Sequence, residues 1–100
     1  MHFKSIHILL FGIFIITSCE SPLYKPTLVE VADTAEFNIL QTGRSLYINN
    51  CSGCHNLYLP TQFGPEKWKE ELNQMQGKTK LSDSEVVFIY RYLTYKKPGQ

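Results

Sequence analysis

The sequence lacks several features that would indicate a function directly. Ten Lys and Arg against nine Asp and Glu leave a formal net charge of +1 over 100 residues. This balance provides no basic field of the kind that binds nucleic acid. The chain has no internal repeats or low-complexity tracts, and its length allows at most one small domain. It also shows no acid–base pair or nucleophile arrangement that would favour an enzyme.

Side chains that bind metals are scarce as well, since the chain has three Cys, three His and two Met. His2, His7 and Met1 lie at its start, so His55 is the only imidazole and Met75 the only thioether after them. A metal or prosthetic group held by such ligands would therefore depend on very few residues.

Residues 1–18 have the features of a lipoprotein signal peptide. Lys4 gives a positive start, and the mostly apolar run 6–16 is too short to span a bilayer. Residues 16–19, Ile-Thr-Ser-Cys, resemble the bacterial lipobox, which implies cleavage before Cys19 and attachment of lipid to its thiol. The alternative is an ordinary secretory signal with an incidental cysteine. Both interpretations predict export.

Residues 19–32 are predicted to be a lipid-anchored tether. They contain two prolines and show no clear helical periodicity, which is typical of a linker. The alternative is that Leu23, Tyr24, Leu28 and Val29 pack along the domain.

The strongest signal is the segment 51–55, Cys-Ser-Gly-Cys-His. Two thiols three positions apart, followed at once by an imidazole, are what covalent attachment of a c-type haem requires. Cys51 and Cys54 would form thioethers with the two vinyl groups, and His55 would bind the iron through one ring nitrogen. Ser52 and Gly53 are small enough to lie against the ring edge. The motif therefore predicts one haem c per chain.

Two other kinds of site contain a Cys-x-x-Cys pair. Structural zinc needs four ligands, and Cys51, Cys54 and His55 supply only three unless a partner chain or carboxylates complete the set. A thioredoxin-like redox pair lies in a βαβ pattern, whereas the flanks of this motif have helical periodicity. The haem interpretation is therefore preferred.

Three helices are predicted around the motif. The first covers residues 33–50, with Asp33 or Thr34 as its cap and apolar residues at three- to four-residue spacing. The second runs from about residue 65 to residue 76, where a proline suits the first turn. The last opens with the Ser-x-x-Glu capping box at 82–85.

Three segments together resemble a small class I cytochrome c domain: Gly-Arg-Ser-Leu-Tyr at 43–47, the motif at 51–55, and the aromatic-rich last helix. The resemblance covers residues 33–97. It implies an all-α fold of about three helices around one covalently attached haem, with His and Met as iron ligands. In that family the glycine at Gly43 lets an aromatic side chain of the terminal helix cross close by. The alternative is a glycine without a packing role.

The second helix carries the candidate for the sixth iron ligand. Trp68, Leu72 and Met75 are spaced i, i+4 and i+7 and share one face, and a left-handed helix end is expected at Gly77. Such a stripe is usually only core. If the chain supplies a strong-field ligand opposite His55, however, it is Met75. Lysine or tyrosine ligation, or an open position, are the alternatives.

A metal-bound histidine normally donates its other ring hydrogen to a carbonyl or carboxylate. In cytochromes c a proline-associated carbonyl accepts it, and Pro60 is the only proline close behind His55. The alternative is that Pro60 serves only the turn.

These expectations describe an electron carrier rather than an enzyme. It would be an extracytoplasmic lipoprotein, anchored in a membrane on the periplasmic side or in the outer membrane, with redox proteins as donors and acceptors. The rival interpretation is a five-coordinate haem protein that binds or senses a small gas or reduces peroxide. It requires that Met75 does not bind the iron, so that the sixth coordination position is vacant. A third is a fixed cytochrome subunit of a larger oxidoreductase.

Overall fold

The computed structural model of the chain describes Gly12 and residues 23–51 and 57–96. In these ranges the chain forms four α-helices, one short 3-10 turn and no strand, so the predicted all-α class is confirmed for the described part. The helices are α1 (Leu28–Val31), α2 (Thr34–Cys51), α3 (Pro65–Gln76) and α4 (Asp83–Thr94), and the 3-10 turn is Pro60–Gln62. None of the helices in these ranges is long and apolar enough to cross a bilayer.

Helix α2 begins and ends within one residue of its predicted bounds. Asp33 is the cap, because its Oδ1 accepts a hydrogen bond from the backbone N–H of Glu36 at 2.7 Å. Leu40, Gly43 and Tyr47 are buried along one face of the helix. This face is the predicted apolar stripe, and it provides the surface on which α4 packs.

Helices α2 and α4 form the main packing contact of the described residues, and they cross at Gly43. A Cβ atom on Gly43 would lie 2.7 Å from the carbonyl carbon of Phe88 and 3.0 Å from Cβ of Tyr92. It would lie still closer to the Phe88 oxygen. Because only glycine lacks this atom, only glycine allows so close a crossing. The predicted packing role of Gly43 is confirmed.

Helix α3 has the predicted bounds, with Trp68 and Leu72 buried and Met75 partly buried. The left-handed end predicted at Gly77 is wrong. Gly77 has φ −64° and ψ −18°, which are right-handed values. The chain instead leaves α3 through a tightening turn, in which the N–H of Lys78 donates to the Met75 carbonyl at 3.0 Å.

Helix α4 opens with the predicted capping box. The Glu85 N–H donates to Ser82 Oγ at 3.2 Å, and the Ser82 N–H donates to Glu85 Oε1 at 3.0 Å. Ile89, Tyr92 and Leu93 form its buried face. The helix therefore turns an aromatic and aliphatic stripe towards α2, as its sequence pattern indicates.

The chain immediately before α1 packs on α2 and α4. Leu23 is 5% exposed. The backbone carbonyl of Tyr24 accepts hydrogen bonds from Arg44 Nε at 3.2 Å and from the Tyr92 hydroxyl at 2.6 Å. Of the two interpretations of this segment, packing along the domain holds for Leu23 and Tyr24.

Helix α1 was not expected from the sequence pattern, and Leu28 and Val29 do not follow Leu23 into the core. They are 49% and 92% exposed, and α1 has no buried residue. Thr27 caps the helix through its side chain, and Ala32 ends it with a left-handed φ of 59°. The helix is therefore held by its ends rather than by a buried face.

Candidate functional site

A cavity of about 520 Å³ lies between the C-terminal end of α2, the segment that follows the motif, and α3. Cofactor and small-molecule sites commonly have volumes of roughly 300–1,000 Å³. Six of the lining residues are aromatic, aliphatic or sulfur-bearing: Tyr47, Cys51, Leu57, Tyr58, Trp68 and Met75. The other five are polar or charged: Asn50, Glu71, Gln74, Lys78 and Thr79. The cavity is therefore large enough for a cofactor and largely lined by aromatic, aliphatic and sulfur-bearing side chains.

The cavity brings together two of the predicted site residues. Cys51 and Met75 are 24 positions apart in the sequence, and both line it. Cys51 is the last residue of α2, and Met75 lies in the last turn of α3. Both are partly buried. The first cysteine of the motif and the one thioether after the start of the chain therefore face the same space.

The remaining predicted ligands lie outside the described residues. Cys54 and His55 fall in the interval 52–56, and Cys19 precedes residue 23. Within the described ranges, no group of three or more His, Cys, Asp or Glu side chains could hold a metal ion. The described part of the site therefore consists of one thiol, one thioether and the surrounding wall.

Two buried aromatic side chains fix the segment that follows the motif. The Tyr47 hydroxyl donates to the Tyr58 carbonyl at 2.7 Å, and Trp68 Nε1–H donates to the Pro60 carbonyl at 2.9 Å. Tyr47 and Trp68 are 2% and 1% exposed, and their rings meet edge to face with centroids 6.0 Å apart. Helices α2 and α3 therefore hold this segment together, each through one aromatic donor.

The carbonyl of Pro60, the acceptor suggested for His55, accepts a hydrogen bond from Trp68. The sequence suggests His55 as its donor, whereas the described donor is Trp68. A carbonyl oxygen has two lone pairs, so the role of Pro60 towards His55 stays a prediction. Sequence reasoning took Trp68 only as part of a helix face and missed this bond. The available signal was that a buried indole N–H usually finds an acceptor.

The phenols of Tyr47, in the cavity wall, and of Tyr92, behind it, are uncharged at ordinary pH. Burial raises the pKa of the Tyr47 phenol above its usual value, and the nearby thiol of Cys51 raises it further. Burial likewise raises the pKa of the Tyr92 phenol, which lies next to Tyr47 in the core. Both phenols therefore stay protonated and act as hydrogen-bond donors to carbonyls.

One buried polar side-chain atom of the cavity wall has no hydrogen-bond partner in the described part of the chain. The hydroxyl oxygen Oγ1 of Thr79 is buried and makes no hydrogen bond there. A buried hydroxyl left in this state costs roughly 1–3 kcal/mol. Thr79 and the exposed Lys78 both line the cavity. A ligand that carries an anionic acceptor would satisfy the hydroxyl, and a haem carries two carboxylates, so the residues present fit this group.

Comparison with known proteins gives no relative from which a function could be carried over. The chain has no significant match among protein-family models, curated proteins or solved structures. The functional interpretation therefore depends on the motif and on the cavity.

Proposed function

We propose that the protein is a c-type cytochrome that carries one electron at a time between extracytoplasmic redox proteins. Cys51 and Cys54 would hold one haem through thioethers, and His55 and Met75 would bind its iron. Cys19 carries a lipid that anchors the domain to a membrane. The fold would then be of the cytochrome c type. Helices α2 and α4 cross at Gly43, and the segment between them in the sequence carries most of the site.

The observation that carries this proposal is that Cys51 and Met75 line one cavity. The two residues are far apart in the sequence and lie on different helices, so nothing local forces them to line the same cavity. Cys51 also begins the five-residue motif that continues through Cys54 to His55. A group attached at the motif would therefore have the Met75 thioether within the same space.

The haem, when bound, supplies an iron centre that takes up and releases one electron. The residues of the chain set its environment. The Met75 thioether is a soft donor that favours ferrous iron and so raises the reduction potential. The rings of Tyr47 and Trp68 keep one wall dry, which lowers the local dielectric. Lys78 and Thr79 offer donors to a carboxylate at the polar edge of the cavity.

Replacing Met75 by alanine is expected to open the sixth position on the iron. The wild-type protein should be low-spin in both oxidation states. The variant should become high-spin when reduced, bind carbon monoxide readily, and show a lower potential. We expect a fall on the order of 0.1 V, a modest part of the roughly 0.8 V over which axial ligands set haem potentials. Optical spectra and a redox titration measure these changes.

Gln74→Ala is the matched control, because Gln74 adjoins Met75, lines the same cavity and is exposed. Its spectrum and potential should stay close to those of the wild type. If the wild-type ferrous protein is already high-spin and binds carbon monoxide as readily as Met75→Ala, Met75 is only a wall residue. The five-coordinate gas-binding or peroxide-reducing protein would then replace the electron carrier.

Replacing Cys19 by serine is expected to prevent lipid attachment, so that the protein stays uncleaved or becomes soluble. The wild type should instead partition with membranes, since each buried methylene of the lipid contributes about 0.8 kcal/mol and two or three chains bind firmly. Fractionation and mass spectrometry of the processed chain test this, with Ser21→Ala as a control just beyond the lipobox. An unmodified Cys19 in the processed wild-type protein would contradict the lipoprotein assignment.

A further inference from the structure

Helix α1 presents two apolar side chains that the core does not use. Leu28 is 49% exposed and Val29 is 92% exposed, and α1 contributes no buried residue. Isolated exposed apolar residues are common on soluble domains. Here, however, two adjacent apolar residues lie on a helix that buries none of its side chains, so core packing does not explain why they are apolar.

The helix is fixed in position by polar contacts on either side of these residues. Thr27 Oγ1 accepts from the Glu30 N–H at 3.3 Å, and the Tyr24 hydroxyl donates to Glu30 Oε2 at 3.1 Å. The Tyr24 ring in turn stacks on the rings of Tyr92 and Tyr95, with centroids 6.5 and 6.0 Å away. Leu28 and Val29 are therefore exposed on a helix that these contacts hold against the domain.

The short chain between Cys19 and the domain limits how far α1 can lie from the proposed lipid anchor. Leu23 is buried in the core, and Cys19 precedes it by four positions. Four residues span at most about 14 Å even when fully extended. A domain held so closely cannot move far from the bilayer surface, so one of its faces must lie against it.

We propose that Leu28 and Val29 form a membrane-contact surface that inserts into the bilayer to which Cys19 is anchored. This inference rests on the proposed lipidation. The described charges nearest to these two residues in the sequence are the exposed Lys25, Glu30 and Asp33, which give no excess of positive charge. The contact therefore depends on the apolar side chains and requires no anionic headgroup. On α2 the cavity is lined by Tyr47, Asn50 and Cys51, which lie about 20–26 Å along the helix axis from Thr34. This orientation leaves the cavity away from the lipid and open to soluble partners.

The test uses the processed, haem-loaded and lipidated chain in vesicles of uncharged phosphatidylcholine and phosphatidylethanolamine. A spin label is attached to Val29→Cys and, as a control, to Lys69→Cys, an exposed position on α3. Collision rates with molecular oxygen, which concentrates in lipid, and with a water-soluble nickel chelate report the location of each label. We expect the ratio of oxygen to nickel collisions to be at least about tenfold higher at 29 than at 69. Wild type treated with the same label gives the background from other thiols.

The outcomes distinguish failure of the membrane-contact surface from failure of the lipid anchor at Cys19. If the protein sediments with the vesicles but the label at 29 is as accessible to the nickel chelate as the label at 69, the contact surface is wrong and the anchor stands. If the wild type stays in solution and mass spectrometry shows an unmodified Cys19, both fail together. Spin–spin broadening at 29 in vesicles would assign this surface to a second copy of the chain and overturn the lipid contact.

Discussion

Replacing Cys51 and Cys54 together by alanine is expected to yield a chain that carries no haem and does not fold stably. Only eight hydrophobic side chains are buried in the described residues, a small core for one domain. The cavity of about 520 Å³ lies against Tyr47 and Trp68 of that core, and against Cys51 and Leu57, which pack on it. Without an attached group the wall would face water, and domains have only about 5–15 kcal/mol to lose.

The double change is measured in protein matured in a host that attaches c-type haem. Extraction with acidified acetone should leave the colour on the wild-type chain, and circular dichroism should show loss of helix in the variant. Ser52→Ala serves as the control, since it alters the motif and keeps both thiols. If the wild-type colour moves into the organic phase, or if the double variant unfolds in urea at the wild-type midpoint, the thioether interpretation is wrong.

Gly43→Ala is expected to destabilise the domain by roughly 3 kcal/mol or more, since overpacking costs about 1–3 kcal/mol where side chains can adjust. Here the new methyl meets the backbone of Phe88, which cannot move without separating α4 from α2. For a domain of this size each kcal/mol lowers Tm by about 4–8 °C, so a fall of more than about 12 °C should follow. The expectation concerns the helix crossing and holds whatever group the cavity binds.

Gly77→Ala is the matched control. A Cβ on Gly77 would have Gln74 O as its nearest neighbour at 3.6 Å, an ordinary contact, and the backbone there is right-handed. Alanine should therefore be neutral or stabilise the protein by up to about 1 kcal/mol. Thermal melts of both variants give the comparison. Equal melting temperatures for the two variants would show that the crossing at Gly43 is looser than its geometry indicates.

The sequence predicted the structure correctly where local signals and tertiary packing agree. Capping residues predicted the starts of α2 and α4, and the face shared by Trp68 and Leu72 is buried as its spacing indicates. Gly43 was recognised because a glycine within a helix usually needs a packing reason. Each of these signals is contained in a few neighbouring residues.

The features that were missed depend on contacts between distant residues. Helix α1 has only four residues and is held by the bonds around Tyr24, so no periodicity marks it. The bond from Trp68 to the Pro60 carbonyl joins two elements whose relative position no local pattern specifies. The unpartnered hydroxyl of Thr79 likewise becomes visible only when the cavity wall is known. At Gly77 the turn closes through Lys78 without a left-handed residue, so composition alone was misleading.

The crossing at Gly43 also determines how freely the site can change over evolutionary time. Helices α2 and α4 pack on each other directly, and the 31 residues from 52 to 82, which carry most of the candidate site, form one long excursion between them. The entropy cost of closing such an excursion grows only with the logarithm of its length, about 0.6 kcal/mol for each doubling. Insertions in its exposed parts should therefore affect the α2–α4 pair little, provided that Trp68 and Leu72 of α3 keep their buried positions. The segment that carries the ligands can then change in length while the frame that closes it is retained.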